Sequence, residues 1–486
     1  MDTTVRDKYV VVIGLEVHAQ LRTESKIYST DATSFGSDPN TNVSVVTLAH
    51  PGTLPLLNRK VLEFAIKMGL ACNCEVSRFT IFDRKNYFYP DLPKGYQLTQ
   101  DRIPLCLRGH IAIATDDSVE RTVRLNRIHV EEDAGKSIHL PDENDTLVDF
   151  NRAGVPLIEI VTEPDMHSSD EAYALLTEIR KLVRYLEICD GNMEEGSLRC
   201  DANVSVMLKG ASILGKKVEV KNMNSVRNVQ RAIDYEADRQ IALLESGKEV
   251  ISETRLFDAT TGRTQGMRTK EELNDYRYFP DPDLSPVEVS DTWLAAIRDS
   301  MPALPGELYR KFVESYKLPS YDAQVLTDSR EVAGYFEKTC RFTTNFKAVS
   351  NWIMGPVKSA LNETGVPADK FSVTPELLAG LISLVDEGKV SYTVAAQMIF
   401  PELMKNPGKT ALALARELNV VQERDQSQIL PIIEEVLKEF PLKVEEFKKG
   451  KKGIISMFMG EVMRRSKGKA DPKLANELLT KKLTEV

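Results

Sequence analysis

Cysteine is scarce, and the six present, Cys72, Cys74, Cys106, Cys189, Cys200 and Cys340, form no repeated C-x-x-C pairing. That spacing gives no support to a zinc site and leaves the reduced thiols of a cytosolic chain as the expectation. No apolar run approaches the length that spans a bilayer, and residues 1–8 hold no apolar signal core. A soluble, cytoplasmic chain with no membrane partner is therefore expected. Familiar nucleotide motifs are missing as well. Asp133-Ala134-Gly135-Lys136-Ser137 ends like a phosphate loop, but Val130 stands where the first glycine should be, and no G-x-G-x-x-G fingerprint occurs. Nor is there a Ser-Lys amidase or Cys-His nucleophile signature, so the chain is not expected to make its own ammonia from glutamine. Positive charge does not prevail either: 63 Lys and Arg stand against 72 Asp and Glu, a net charge of -9. This argues against a nonspecific coat for nucleic acid, and no DNA partner is expected, although a local basic patch remains compatible with it.

What is there divides by pattern. A chain of 486 residues exceeds what one core serves, and 42% hydrophobic residues suffice for several. Residues 1–290 mix short strand-like runs with helices expected at Asp170 to Glu187 and Val226 to Glu245. Residues 291–407 turn helical, with Trp293, Ile297 and Met301 in register and prolines as stops. Residues 408–486 are again helical, and from Lys443 onward twelve Lys or Arg face six Asp or Glu. The expected fold class is α+β: a mainly antiparallel sheet domain, then a helical domain, then a small helical tail.

Four segments of the first domain alternate with a period of two, which in a strand sorts side chains onto opposite faces. Ile13, Leu15 and Val17 alternate with Glu16, His18 and Gln20, and Ile128 and Val130 with His129, Glu131 and Asp133. Arg199, Asp201, Asn203 and Ser205 oppose Cys200, Ala202, Val204 and Val206, and Lys217, Glu219 and Lys221 oppose Val218 and Val220. A wet antiparallel face shows such alternation in any case, but one rich in like-charged acids repels itself unless a cation neutralises it. Carboxylates with water suit a hard divalent ion, and flanking Lys or Arg suits a phosphate. Laid side by side, these strands would make a metal-nucleotide floor.

Five longer stretches carry a resemblance. They are Val12 to His18, Phe82 to Asp91, His129 to Lys136, Met193 to Asn203 and Asp275 to Pro280, quoted in one letter as VIGLEVH, FDRKNYFYPD, HVEEDAGK, MEEGSLRCDAN and DYRYFP. In that order they resemble the B subunit of the aspartyl/glutamyl-tRNA amidotransferase over essentially the whole chain. The resemblance implies ATP and Mg2+ as cofactors and a misacylated tRNA as substrate. The side-chain carboxylate of Glu on tRNA(Gln), or Asp on tRNA(Asn), would take the γ-phosphoryl group, and ammonia would then displace phosphate. An amidase A subunit and a small C subunit are the implied partners. Glu16, His18, Glu131, Asp201 and Glu219 are the implied catalytic magnesium ligands, with Glu132 added if a bulge turns it inward. Some members bind zinc through two cysteine pairs near the amino end; Tyr28-Ser29-Thr30-Asp31 and Ser44-Val45-Val46-Thr47 stand in that region here, so zinc is not implied.

Other residues admit two readings each. Arg84, Lys85 and Asn86, ahead of Tyr87, Phe88 and Tyr89, would grip phosphate or stack a base, or else form a strand with a packed aromatic face. Arg152 would hold a carboxylate bidentately, or pair with Glu159 or Glu163. Arg199 and Lys221 share faces with the acids and are candidates for the transferring phosphate. Lys451, Lys452, Arg464, Arg465, Lys467 and Lys469 would touch the tRNA backbone, or merely solvate a loop. Two further functions fit the same residues: a noncatalytic tRNA-binding scaffold, and a stand-alone ATP-dependent amide ligase.

Overall fold

The strand Tyr9–Gln20 runs through the middle of a ten-stranded sheet in the computed structural model. The structure describes residues 3–115, 120–140, 144–269, 276–421, 426–466 and 470–485. Tyr9–Gln20 pairs with Leu198–Leu208 on one side and Pro156–Thr162 on the other, both antiparallel. Outward from Leu198–Leu208 come Val218–Met223, Glu253–Asp258 and Arg263–Thr269; outward from Pro156–Thr162 comes Glu120–Glu132, which also carries Cys106–Leu107 and His110–Ala114. One pairing in this sheet is parallel, Val218–Met223 with Glu253–Asp258, and the helix Val226–Glu245 makes the crossover that such a pair needs. The expected mainly antiparallel sheet is thus present, but Pro156–Thr162 lies between two of the strands expected to be neighbours.

One face of the sheet is apolar because the odd-numbered residues Ile13, Leu15, Val17 and Ala19 and their partners Ala202 and Val204 all fall on it. The helices Ser169–Tyr185, Val226–Glu245 and Arg59–Ala71 cover it. Their apolar residues recur at helical spacing, as in Ala172, Leu175, Leu176, Ile179 and Val183, all buried. Ser168, Ser225 and Asn58 start these helices by accepting a backbone N–H with the side chain. Each fully buried aliphatic side chain contributes about 1.5–3 kcal/mol, so the helices are committed to this side and leave the polar face to other uses.

Two compact units divide the chain at Pro305, not at 290. The helix Asp291–Asp299 belongs to the first, since Leu294 and Ile297 join the core of the sheet unit and Trp293 takes the Arg59 guanidinium 4.5 Å above its ring. The second unit is helical. Its last four helices, Gln426–Glu439, Pro441–Lys448, Ile455–Arg465 and Pro472–Glu485, close on their own core of Ile429, Ile433, Val436, Phe458, Val462 and Leu479. No helix among the described residues is long and apolar enough to cross a membrane.

Candidate active site

Strand register builds the site. His129 lies opposite Glu159, Glu159 opposite His18, and His18 opposite Arg199, and directly opposed residues of antiparallel strands share a face. The row His129, Glu159, His18, Arg199 therefore crosses four strands. Glu159 Oε2 is 3.4 Å from Nε2 of both His18 and His129, and Glu131 Oε1 is 3.2 Å from His129 Nε2. Glu131 is fixed in turn by Thr99 Oγ1 at 2.6 Å and Gln97 Nε2 at 3.0 Å. His18, Glu131 and Glu159 each offer a ligand atom, all within 4.8 Å of one another. Two carboxylates and an imidazole suit a divalent ion that completes its shell with water, which the partial exposure of His18 and Glu159 admits.

The electrostatics agree with a site built for added positive charge. Burial opposes charging His129, but the bonds to Glu131 and Glu159 outweigh it and raise its pKa to about 9. His18 is raised in the same way, burial again opposing and Glu159 prevailing. Burial also opposes ionisation of Glu159, yet the two histidines hold it well below the usual carboxylate range. Protonated, the two histidines offset the charge of Glu131 and Glu159.

A second acid group lies along the same face. Asp201 is opposite Glu16, and Asn203 is opposite both Gly14 and Glu219. Asn203 Nδ2 donates to Glu16 Oε1 at 2.9 Å, while Lys221 Nζ pairs with Asp201 and lies 3.0 Å from Glu219. Burial, then the charge of Glu159, raise the pKa of Glu16. Lys221 holds Glu219 below its ordinary value against the effect of burial. Beside Glu16 opens a cleft of about 290 Å3 lined by Val12, Gly14, Asn203, Leu214 and Lys217.

The expected ligand set thus splits. His18 and Glu131 come together; Glu16, Asp201 and Glu219 form the neighbouring group; Glu132 joins neither. Its carboxylate pairs with Lys94 and accepts the Leu98 N–H at 2.9 Å, because no bulge reverses the alternation that turns it from Glu131. Arg84 is not open to a phosphate: Asp281 and Asp283 hold it at 2.5 and 3.0 Å, and Tyr96 lies beneath it. Asn86 serves the backbone, donating to Tyr276 O and Arg277 O. Arg152 takes neither Glu159 nor Glu163; it donates to Ala134 O at 2.9 Å and Gly135 O at 2.6 Å, clasping the turn that mimics a phosphate loop. Arg199 is on the face, ion-paired with Asp133 at 3.0 Å. Lys85 remains near the acids.

In the tail, Arg465 is committed to Glu439 and Glu461, and Arg464 and Lys451 are paired on the exposed surface with Glu461 and Glu446. Lys467 and Lys469 lie outside the described residues. Where the resemblance would put zinc-binding cysteines, Asp31 Oδ2 gathers Ser29 Oγ, the Ser44 N–H and Thr47 Oγ1.

Glu159 is the residue of the ligand set that alternation alone does not bring in; His129, which alternation does put on the acid face, bonds to Glu131 and Glu159 beside that set. One signal marks Glu159: it is the lone charge in the apolar run Pro156–Thr162, where a strand buried on both faces carries an acid only with a partner.

Comparison with known proteins bears out the resemblance of the five stretches. Residues 11–295 match the GatB/GatE catalytic domain family and residues 334–483 the GatB domain family. Over 98% of its length the chain is 49% identical to 99% of the B subunit of the aspartyl/glutamyl-tRNA(Asn/Gln) amidotransferase of Trichlorobacter lovleyi. It is 49% identical to the whole of the protein so named in Thermodesulfovibrio yellowstonii, and 50% identical to 99% of that in Geotalea daltonii, again over 98% of this chain. The chain belongs to the family of aspartyl/glutamyl-tRNA(Asn/Gln) amidotransferase B subunits.

Proposed function

We propose that the polar face of the sheet activates the side-chain carboxylate of a misacylated tRNA with ATP and delivers it to ammonia, giving Gln-tRNA(Gln), Asn-tRNA(Asn) or both. The observation that carries this reading is the row His129, Glu159, His18, Arg199 with Glu131 beside it, a set of donors matched to a divalent ion and flanked by fixed cations. Two anions, a carboxylate and a triphosphate, must meet, and charge neutralisation is where most phosphoryl-transfer catalysis lies.

His18, Glu131 and Glu159 would hold Mg2+, which when bound offsets phosphate charge and polarises the phosphoryl oxygens. Lys85 supplies further positive charge beside them. The cleft next to Glu16, with Gly14 as a floor bare of side chain, would seat the nucleoside end of ATP. A carboxylate oxygen of the aminoacyl group attacks the γ-phosphorus and ADP leaves. Ammonia then adds to the acyl carbon, inorganic phosphate departs, and one proton must be removed. Glu16 Oε2 is suited to accept it, since Asn203 occupies Oε1 and burial makes this acid a better base. Ammonia would come from an amidase A subunit, with a small C subunit steadying the assembly.

The test incubates the complex reconstituted with those subunits, γ-labelled ATP and each misacylated tRNA, without an ammonia donor. Labelled acyl phosphate on the aminoacyl group is expected. Binding of tRNA without ATP cleavage would mean a scaffold instead, and cleavage that ignores tRNA a free-standing amide ligase.

A further inference from the structure

Lys85 is a half-buried ammonium with an unusual lack. Among the described residues no carboxylate lies within ion-pair distance of it. Yet Glu131 and Glu159 are near enough to act on it: burial opposes its charge, and the fields of Glu131, Tyr278, Tyr87 and Glu159 overcome that and push its pKa up. Aromatic rings surround it where counter-ions would be expected. Its Nζ is 5.0 Å from the centre of the Tyr276 ring and 6.0 Å from that of Tyr87, and Tyr276 meets Tyr87 and Tyr278 edge to face at 5.9 and 6.1 Å. Ring faces attract a cation without neutralising it.

The wall is anchored to the strand it shields. Asn86 donates its backbone N–H to Tyr276 O at 3.0 Å, Phe279–Pro280 pairs with Asp83 and Arg84, and Arg84 is bound to Asp281 and Asp283. The chain crosses from 276 to 283 as a strap over Asp83–Asn86.

We infer that Tyr276 is a positioning residue whose ring holds Lys85 back from Glu131 and Glu159, keeping open between ammonium and acids the space that the divalent ion and the phosphoryl group must share. This rests on the metal and phosphate reading of those acids given above. An unrestrained ammonium would settle on the carboxylates and compete with the metal. The flexible stem of lysine makes that collapse easy, and an ion pair at close range is worth more than a ring face.

Mn2+ affinity of the full chain, measured by titration calorimetry without nucleotide, tests this independently of turnover. Tyr276→Ala is expected to weaken Mn2+ about tenfold, within the range that loss of a supporting residue costs a metal site. Tyr276→Phe, which keeps the ring, is expected to bind like the wild type. The decisive variant adds Lys85→Met to Tyr276→Ala: removing the collapsing ammonium restores affinity, which a merely unfolded or loosened site would not do. Unchanged affinity in Tyr276→Ala, or loss that Lys85→Met fails to reverse, overturns the positioning role while leaving the metal site standing. No Mn2+ binding by the wild type overturns the metal reading itself.

Discussion

Glu159 Oε2 stands 3.4 Å from Nε2 of His18, on a strand otherwise apolar from Leu157 to Val161. Mostly shielded from water there, the carboxylate depends on its histidines. Glu159→Gln keeps the shape and removes the charge, so it is expected to lower phosphoryl transfer by about a hundredfold or more, as loss of a charge-stabilising group does. His18→Ala should fall in the same range. Transfer from γ-labelled ATP measures both, and normal rates in either would sink the assignment.

Glu131 and Glu132 are adjacent yet expected to behave oppositely. Glu131→Gln should abolish Mn2+ binding, whereas Glu132→Gln should leave it intact, because that carboxylate is spent on Lys94 and the Leu98 N–H. Lys94→Met strands a carboxylate whose side chain is 4% exposed and should cost about 3 kcal/mol in denaturant unfolding of the sheet unit. Equal loss of Mn2+ binding in the two glutamine variants would return Glu132 to the ligand set.

The pH dependence has a definite sign. His129 has a folded pKa of about 9 against an ordinary 6.5, so its contribution to stability is complete below 6.5 and is lost as pH rises through 9. Glu159 is depressed, so its contribution is present above the ordinary carboxylate value and lost as pH falls. In a chelator the sheet unit should therefore be most stable in between. Added Mn2+ should raise the melting temperature more at pH 9 than at pH 6, since metal and proton compete for these ligands. Calorimetric scans across pH check this; equal metal stabilisation at both values would contradict it.

Tail cations should separate by their ion pairs. Alanine at Lys451, Lys452 and Arg464 together is expected to flatten the salt dependence of tRNA binding by about 0.7–0.9 in log-log slope for each phosphate that the tail no longer neutralises. Arg465→Ala should leave the slope alone and loosen the helix packing instead, its guanidinium being held by Glu439 and Glu461. An unchanged slope in the triple variant would make those three side chains solvated surface.

Local rules make the strands legible: Glu16, His18 and Gln20 fall on one face because alternation with Ile13, Leu15 and Val17 leaves no other arrangement. The order of strands cannot be read that way. Nothing in Pro156–Thr162 says that it intervenes between Tyr9–Gln20 and Glu120–Glu132, so its one acid, Glu159, is invisible in the sequence as the link between two histidines. The commitment of Arg84 is hidden for a similar reason, since Asp281 and Asp283 lie almost two hundred positions away. Glu132 is the reverse case. Strict alternation already turns it away from Glu131, and only a bulge, which the strand lacks there, would bring it back.

The central position of Tyr9–Gln20 also governs how the molecule is made. This strand leaves the ribosome before the rest of the sheet, yet its two ladder partners end at Thr162 and Leu208. At roughly 5–20 residues per second, Val10 to Ile13 wait on the order of ten to forty seconds for the second of them. Over that interval a β-branched apolar run keeps unpaired the edge that Leu198–Leu208 later takes, the condition under which nascent chains associate. Folding of the sheet unit is therefore a late, long-range event, and a chain that stops before Leu198 lacks Arg199, one end of the row, together with the strand that pairs Val10 to Ile13.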